Sequence, residues 1–122
     1  MLFLSAAVIL SLPGCTEEQD VFPILDVIEV AESDITSSSA ILKGEITRLG
    51  NVNIREYGIE ISKNMIFSPS QTKGFTTPAA MGVYQVEFTG LEPGMLYYYR
   101  SYASINTAQV YSQGYRTFTT LP

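Results

Sequence analysis

From Ala40 onward, apolar residues recur at every second position. Ala40, Leu42, Gly44 and Ile46 alternate with Ile41, Lys43 and Glu45. Tyr57, Ile59 and Ile61 alternate with Glu56, Gly58 and Glu60, and Tyr84, Val86 and Phe88 with Gln85, Glu87 and Thr89. Successive side chains of a strand point to opposite faces, so each run predicts a strand with one face toward a core. A further strand runs from Tyr97 to Ile105, and a last one covers Gln109 to Thr119, with Gly114 marking a bulge and Phe118 closing the core. Pro23 to Glu32 is a less regular first strand with an expected break. Asp34 to Ser39 is a polar connection holding one apolar residue, Ile35, and Arg48 to Asn53 is a loop containing Gly50. Lys63 to Gly74 is a long polar connection broken by Pro69. Within it, Met65, Ile66 and Phe67 are either a plug under the loop or an exposed contact, and the plug is the favoured reading. Lys73 to Thr77 gives a short additional strand, and Asn106-Thr107 a short turn.

The stretch Gly90 to Ala103, GLEPGMLYYYRSYA, joins two of these strands. Pro93 fixes φ and lacks an amide donor, and Gly94 tolerates positive φ, so the chain turns sharply there. Tyr97, Tyr99, Ser101 and Ala103 then share one face, and Tyr98, Arg100 and Tyr102 the other. The first face ends in small uncharged residues and belongs to the core.

Leu91, Pro93 and Tyr97 resemble the E–F corner of a fibronectin type III domain. The resemblance extends over about residues 24–120. It implies an all-β, seven-stranded immunoglobulin-like sandwich of roughly 100 residues. It also implies that the Tyr97 hydroxyl reaches back to the backbone a few residues upstream. Fibronectin domains of animal proteins usually carry a tryptophan in the second strand. This chain has Gly44 there and no tryptophan anywhere. It looks more like the fibronectin-like domains of Bacteroidetes surface proteins, and it has no Arg-Gly-Asp.

The 122 residues leave room for one such domain. The net charge of −5 is unevenly spread. Residues 1–42 hold seven acids and no base, and residues 43–122 five acids and seven bases. No basic stripe marks the body, which argues against nucleic acid as a partner. Histidine is absent, which removes the commonest general base and metal ligand. The single cysteine, Cys15, excludes an internal disulfide.

Residues 2–12, LFLSAAVILSL, are apolar and uncharged. The run is short for a spanning helix of about 20 residues and matches the core of a secretory signal peptide. Leu12-Pro13-Gly14-Cys15 follows and resembles a bacterial lipobox. That resemblance implies a signal peptide over 1–14 and a diacylglycerol on the Cys15 thiol. It implies attachment to the bacterial outer membrane, facing either the periplasm or the exterior. Residues 15–23 are then a lipidated cysteine with an acidic tether, and 24–122 the sandwich. Thr16 to Asp20 resembles the acidic export signal of Bacteroidetes lipoproteins, and reads equally as a solvated linker.

No phosphate-binding glycine loop, metal motif or nucleophile–base pair is present, so no cofactor is expected. Glu56 and Glu60 would be the carboxylates of a glycosidase, but they are expected on an open sheet rather than in a cleft. The protein is therefore expected to be non-catalytic. Two classes stay open. One is a binding or adhesion module for a glycan or protein. The other is a spacer or accessory subunit of an outer-membrane or pilus-like assembly. The candidate ligand face is Tyr98, Arg100 and Tyr102 with Glu56 and Glu60. These residues would form either a sugar-stacking patch or a ladder of cross-strand pairs.

Overall fold

The computed structural model describes residues 19–106 and 108–122. Cys15, the lipobox residues Leu12, Pro13 and Gly14, and the expected signal peptide lie outside the described residues, as does Thr107 of the expected turn. Among the described residues, eight strands form two facing sheets. They are β1 (Ile24–Ile28), β2 (Ala40–Arg48), β3 (Glu56–Ser62), β4 (Gln71–Phe75), β5 (Gly82–Phe88), β6 (Leu96–Ser104), β7 (Gln109–Tyr111) and β8 (Arg116–Thr119). One sheet has the order β1-β2-β5, and the other β4-β3-β6-β7, with β8 also pairing with β6. All the pairs are antiparallel. This is the fibronectin type III-like sandwich expected from the strand pattern and the corner. The eighth strand arises because the last expected strand is two: it breaks at Ser112–Tyr115, where Gly114 takes φ 79°.

Strand parity places the core. Ala40, Leu42 and Ile46 of β2 face Ile59 and Ile61 of β3 and Tyr97 and Tyr99 of β6, all of them buried. Phe88 and Phe118 fill the space between the sheets. Gly44 sits under the ring of Tyr84, its partner on β5; a Cβ there would meet the Tyr84 hydroxyl at 2.6 Å and Ser101 Oγ at 2.3 Å. The Tyr84 hydroxyl donates across the sandwich to Gly58 O at 2.8 Å. An aromatic from the neighbouring strand thus occupies space that a larger side chain at position 44 would need. Burial, the largest influence, pushes the Tyr84 hydroxyl up to about 12.

The first strand is shorter than expected, ending at Ile28, because its backbone partners change there. Side chains of the opposite sheet bond its carbonyls. Ser101 Oγ donates to Asp26 O at 2.7 Å, and Arg116 Nε to Val27 O at 2.8 Å. The Tyr99 hydroxyl donates to Ile28 O at 2.7 Å and accepts from Val30 N at 2.9 Å. An edge strand with unpaired carbonyls invites foreign strands, and covering it removes that risk. Beyond it, a short 3-10 turn, Glu32–Asp34, leads toward β2.

At the corner, Gly90 and Gly94 take φ 70° and 63°. Glu92 N donates to the Tyr97 hydroxyl at 3.0 Å. Leu91 is buried, and its amide donates to Ser38 O at 2.9 Å. The chain end docks on the same corner: Gly94 N donates to Leu121 O, and Met95 N to Thr120 Oγ1, each at 2.9 Å.

Candidate functional site

The outer face of the five-stranded sheet brings together the five residues expected to form a ligand face. Register sets Arg100 opposite Glu60, Tyr102 opposite Gly58, and Ser104 opposite Glu56. Arg100 Nε donates to Glu60 Oε1 at 2.7 Å, and Ser70 Oγ donates to Glu60 Oε2 at 2.5 Å. The Tyr102 hydroxyl donates to Glu56. Burial first, and then the bond to the Glu56 carboxylate, raise the Tyr102 pKa far above that of a free phenol.

This face is not an open platform. Tyr102 is only 2% exposed, and Glu60 is also buried. The expectation that Tyr102 and Glu60 stand free on the surface is therefore corrected, for two physical reasons. First, the edge strand β4 presents Gly74, where a Cβ would come within 2.7 Å of the Tyr102 hydroxyl. The missing side chain lets the phenol lie down along the sheet. Second, the connection after β3 folds back over the face. Phe67, at φ 55°, lays its ring on Arg100, whose guanidinium is 4.1 Å from the Phe67 centroid and 3.7 Å from that of Tyr111. A cation held between two aromatic faces gains about 0.5–2 kcal/mol, the more as it is desolvated. Tyr98 packs edge-on against Tyr115 at 5.3 Å, and Phe67 meets Tyr115 at 6.2 Å.

The result is a second, smaller packed layer outside the sheet, with an ion pair at its centre. The two readings of the five residues divide accordingly. The ladder geometry is present, and the room for a sugar ring is taken by Phe67 and Tyr111. Each carboxylate is engaged, Glu60 by Arg100 and Ser70, and Glu56 by Tyr102. Among the described residues, no group of three His, Cys, Asp or Glu side chains could hold a metal ion. No helix among them is long and apolar enough to cross a membrane.

Sequence reasoning missed Ser70, Tyr111 and Tyr115 as members of this layer, and placed Phe67 as a plug under the loop without its contact to Arg100. Of the Met65-Ile66-Phe67 run, only Phe67 acts as a plug; Met65 and Ile66 are exposed, Ile66 by 75%. A concavity lies at the end of the sandwich, between the turn after β3 and the corner before β6. It is a cleft of about 380 Å³ with Ile61, Leu91 and Tyr97 among its apolar lining and Lys63, Gln71 and Glu92 among its polar lining. Lys63 and Glu92 form an exposed ion pair there. The hydrogen bond to Glu92 holds the Lys63 amine above its ordinary range. The opposite end holds the start of β1 and the loop between β2 and β3, since Val21 pairs with Asn51.

No family model matches the chain, and no curated protein matches it. Solved structures do. The sensor domain of the anti-sigma factor RsgI4 of Pseudobacteroides cellulosolvens matches with a TM-score of 0.64 over 81% of this chain and 94% of its own, at 16% identity. The chain shares the fold of a bacterial sensor domain. The solution structure of that domain matches at 0.63, again at 16% identity, over 82% of this chain and 76% of its own. Astrotactin-2, a vertebrate-specific, perforin-like membrane protein, matches at 0.51 and 17% identity over 81% of this chain but 21% of its own. At such identities the likeness is one of fold.

Proposed function

We propose that the protein is a non-catalytic, lipid-anchored module of the bacterial outer membrane that binds a glycan or protein ligand at the end of the sandwich remote from its anchor. The observation that carries this reading is the cleft beside the corner. It pairs an apolar floor with an exposed ion pair, and exposed Met65 and Ile66 sit on the turn that forms its wall. Concave sites that mix apolar surface with a few convergent polar groups are where ligands are usually held. The likeness to a sensor domain supports a sensing or recognition role, and Leu12-Pro13-Gly14-Cys15 supports the anchor. The alternative is a spacer or accessory subunit of an outer-membrane or pilus-like assembly; its pilus-like form has less support, because β7 and β8 complete the sheet beside β6 from the same chain.

Binding is tested by glycan array and by capture of envelope proteins, comparing the parent with a Lys63→Ala, Ile66→Glu double variant. Both side chains are exposed, so the urea midpoint should hold while binding disappears. Undiminished binding by the double variant would place the ligand elsewhere. The anchor is tested by Cys15→Ser, which should leave the chain uncut and without the added acyl mass on intact mass spectrometry. An unmodified thiol at Cys15 in the native protein would overturn the anchor.

A further inference from the structure

Residues 19–22 lie on their own domain. Val21 N donates to Asn51 Oδ1 at 2.6 Å, and Asn51 N donates to Val21 O at 2.8 Å. Asn51 Nδ2 donates to Gln19 O at 2.8 Å. Arg48 donates to Phe22 O from Nε at 3.1 Å and from Nη2 at 2.7 Å. Gly50 makes this close approach feasible: at φ 75°, a Cβ there would stand 2.1 Å from Val21 O. From Gln19 onward the expected tether is therefore fastened to the loop between β2 and β3, and only residues 16–18 separate it from Cys15.

Four residue steps span at most roughly 14 Å of extended chain. The nine residues of β6 alone extend about 30 Å from this end of the sandwich to the other. An anchor at Cys15 therefore holds one end of the domain at the bilayer and keeps the other away. The near end has a surface suited to that position. Val21, Phe22, Ile24 and Met81 are exposed large apolar residues, and Arg55, just before β3 at the same end, is an exposed cation whose amide donates to Ser104 O. The loop carrying Met81 meets the β2–β3 loop through Pro78 and Ala79. Apolar side chains interleaved with a snorkelling arginine suit the headgroup and acyl boundary.

We propose that the end of the sandwich formed by the N-terminal arm, the β2–β3 loop and the Thr76 to Met81 loop is a membrane-facing surface that rests on the phospholipid interface. The proposal rests on the anchor at Cys15 proposed above. It also deepens that reading, because it turns the cleft of Lys63 and Glu92 toward the partner side.

The chain has no tryptophan, so single reporters are clean. Met81→Trp and Ile66→Trp are each made in the full chain and anchored in phosphatidylcholine vesicles bearing brominated acyl chains. Trp emission at 81 should shift to the blue and lose intensity, and emission at 66 should match that of the protein in buffer. Adding Asn51→Ala, which releases Gln19 and Val21 and lengthens the free tether to Phe22, should restore part of the intensity at 81. Equal quenching at the two positions would overturn the proposal, as would indifference to Asn51→Ala. A blue shift at 81 that follows protein concentration without vesicles would also overturn it, in favour of a second copy covering that end. Intact mass decides the anchor separately. If the native chain carries a free thiol, a maleimide lipid on the Cys15 sulfur supplies the attachment, and the same two emissions are read.

Discussion

Tyr99 holds the sandwich together through its hydroxyl more than Tyr97 does, although Tyr97 is the tyrosine of the corner. Replacing either by Phe keeps the ring contacts with Phe118, stacked for Tyr97 at 5.5 Å and edge-on for Tyr99 at 5.7 Å. Only the hydroxyl bonds are lost. Tyr97→Phe leaves one amide, that of Glu92, without its partner. Tyr99→Phe leaves two backbone groups without their partner, Ile28 O at the end of β1 and Val30 N just beyond it. An orphaned buried polar group costs about 1–3 kcal/mol. Glu92 is exposed, so its amide finds water with little rearrangement. Tyr97→Phe should therefore cost about 1 kcal/mol, the low end of that range, and Tyr99→Phe about 2–4 kcal/mol. For a domain of this size, each kcal/mol lowers Tm by about 4–8 °C. Urea and thermal melts of residues 19–122 at pH 7 read both values. Amide exchange at Val30 should accelerate in Tyr99→Phe alone. A neutral Tyr99→Phe, or a Tyr97→Phe that costs more, would refute the view that β1 is held from across the sandwich.

Three other outcomes are expected. Phe67→Ala removes one wall of the Arg100 stack; a Phe→Ala change costs about 3–5 kcal/mol in a closed core, and about 2–3 kcal/mol is expected here, where water can enter from one side. Chemical denaturation measures this loss, and an unchanged midpoint would mean that the outer layer adds nothing to stability. Gly44→Ala forces a methyl against the Tyr84 hydroxyl and Ser101, and should cost about 1–3 kcal/mol as an overpacked site; Gly114→Ala, with open space but φ 79°, is the comparison for backbone strain. Stability should also fall as pH rises from about 10 to about 12. The unfolded chain loses the Tyr84 proton near pH 10, whereas the folded chain keeps it to about 12. The native state thus binds the extra proton in that window, at about 1.4 kcal/mol per pH unit. Tyr84→Phe should flatten the decline in a pH series of urea melts, and an unchanged slope would exclude Tyr84 as its source.

Much of the fold was legible because strand parity is local information. Ala40 to Ile46 and Tyr97 to Ala103 point inward as their alternation predicts. Where expectation and structure part, the cause is a contact distant in sequence. The first strand stops at Ile28 because Tyr99, 71 residues on, takes over its carbonyl. The last strand divides because residues Ser112 to Tyr115 leave the ladder. There Ser112 N bonds Ser101 O, and Ser101 N bonds Ser112 Oγ, each at 3.0 Å, beside Gly114 at positive φ. The glycine was visible in advance as a bulge signal, but a bulge and a break differ only in what the partner strand offers.

The candidate site was less legible, and for a different reason. Parity correctly sets Tyr98, Arg100 and Tyr102 on the outer face, but the outside of a sheet is not the same as its exposed surface. Whether a residue there meets water depends on its neighbours two strands away and on any loop that folds back. Gly74 decides it for Tyr102, and Phe67 for Arg100. A three-residue apolar run on a turn cannot place all its side chains on one side. At φ 55° the backbone at Phe67 turns that ring onto the sheet and leaves Met65 and Ile66 outward. The same turn thereby covers the candidate ligand face and builds the wall of the cleft beside the corner. Closure of the one and formation of the other are a single event. Phe67→Ala should therefore perturb the amides of Lys63 and Gln71 in the cleft as well as those around Arg100. A two-dimensional NMR spectrum in which only the Arg100 side responds would separate the two sites.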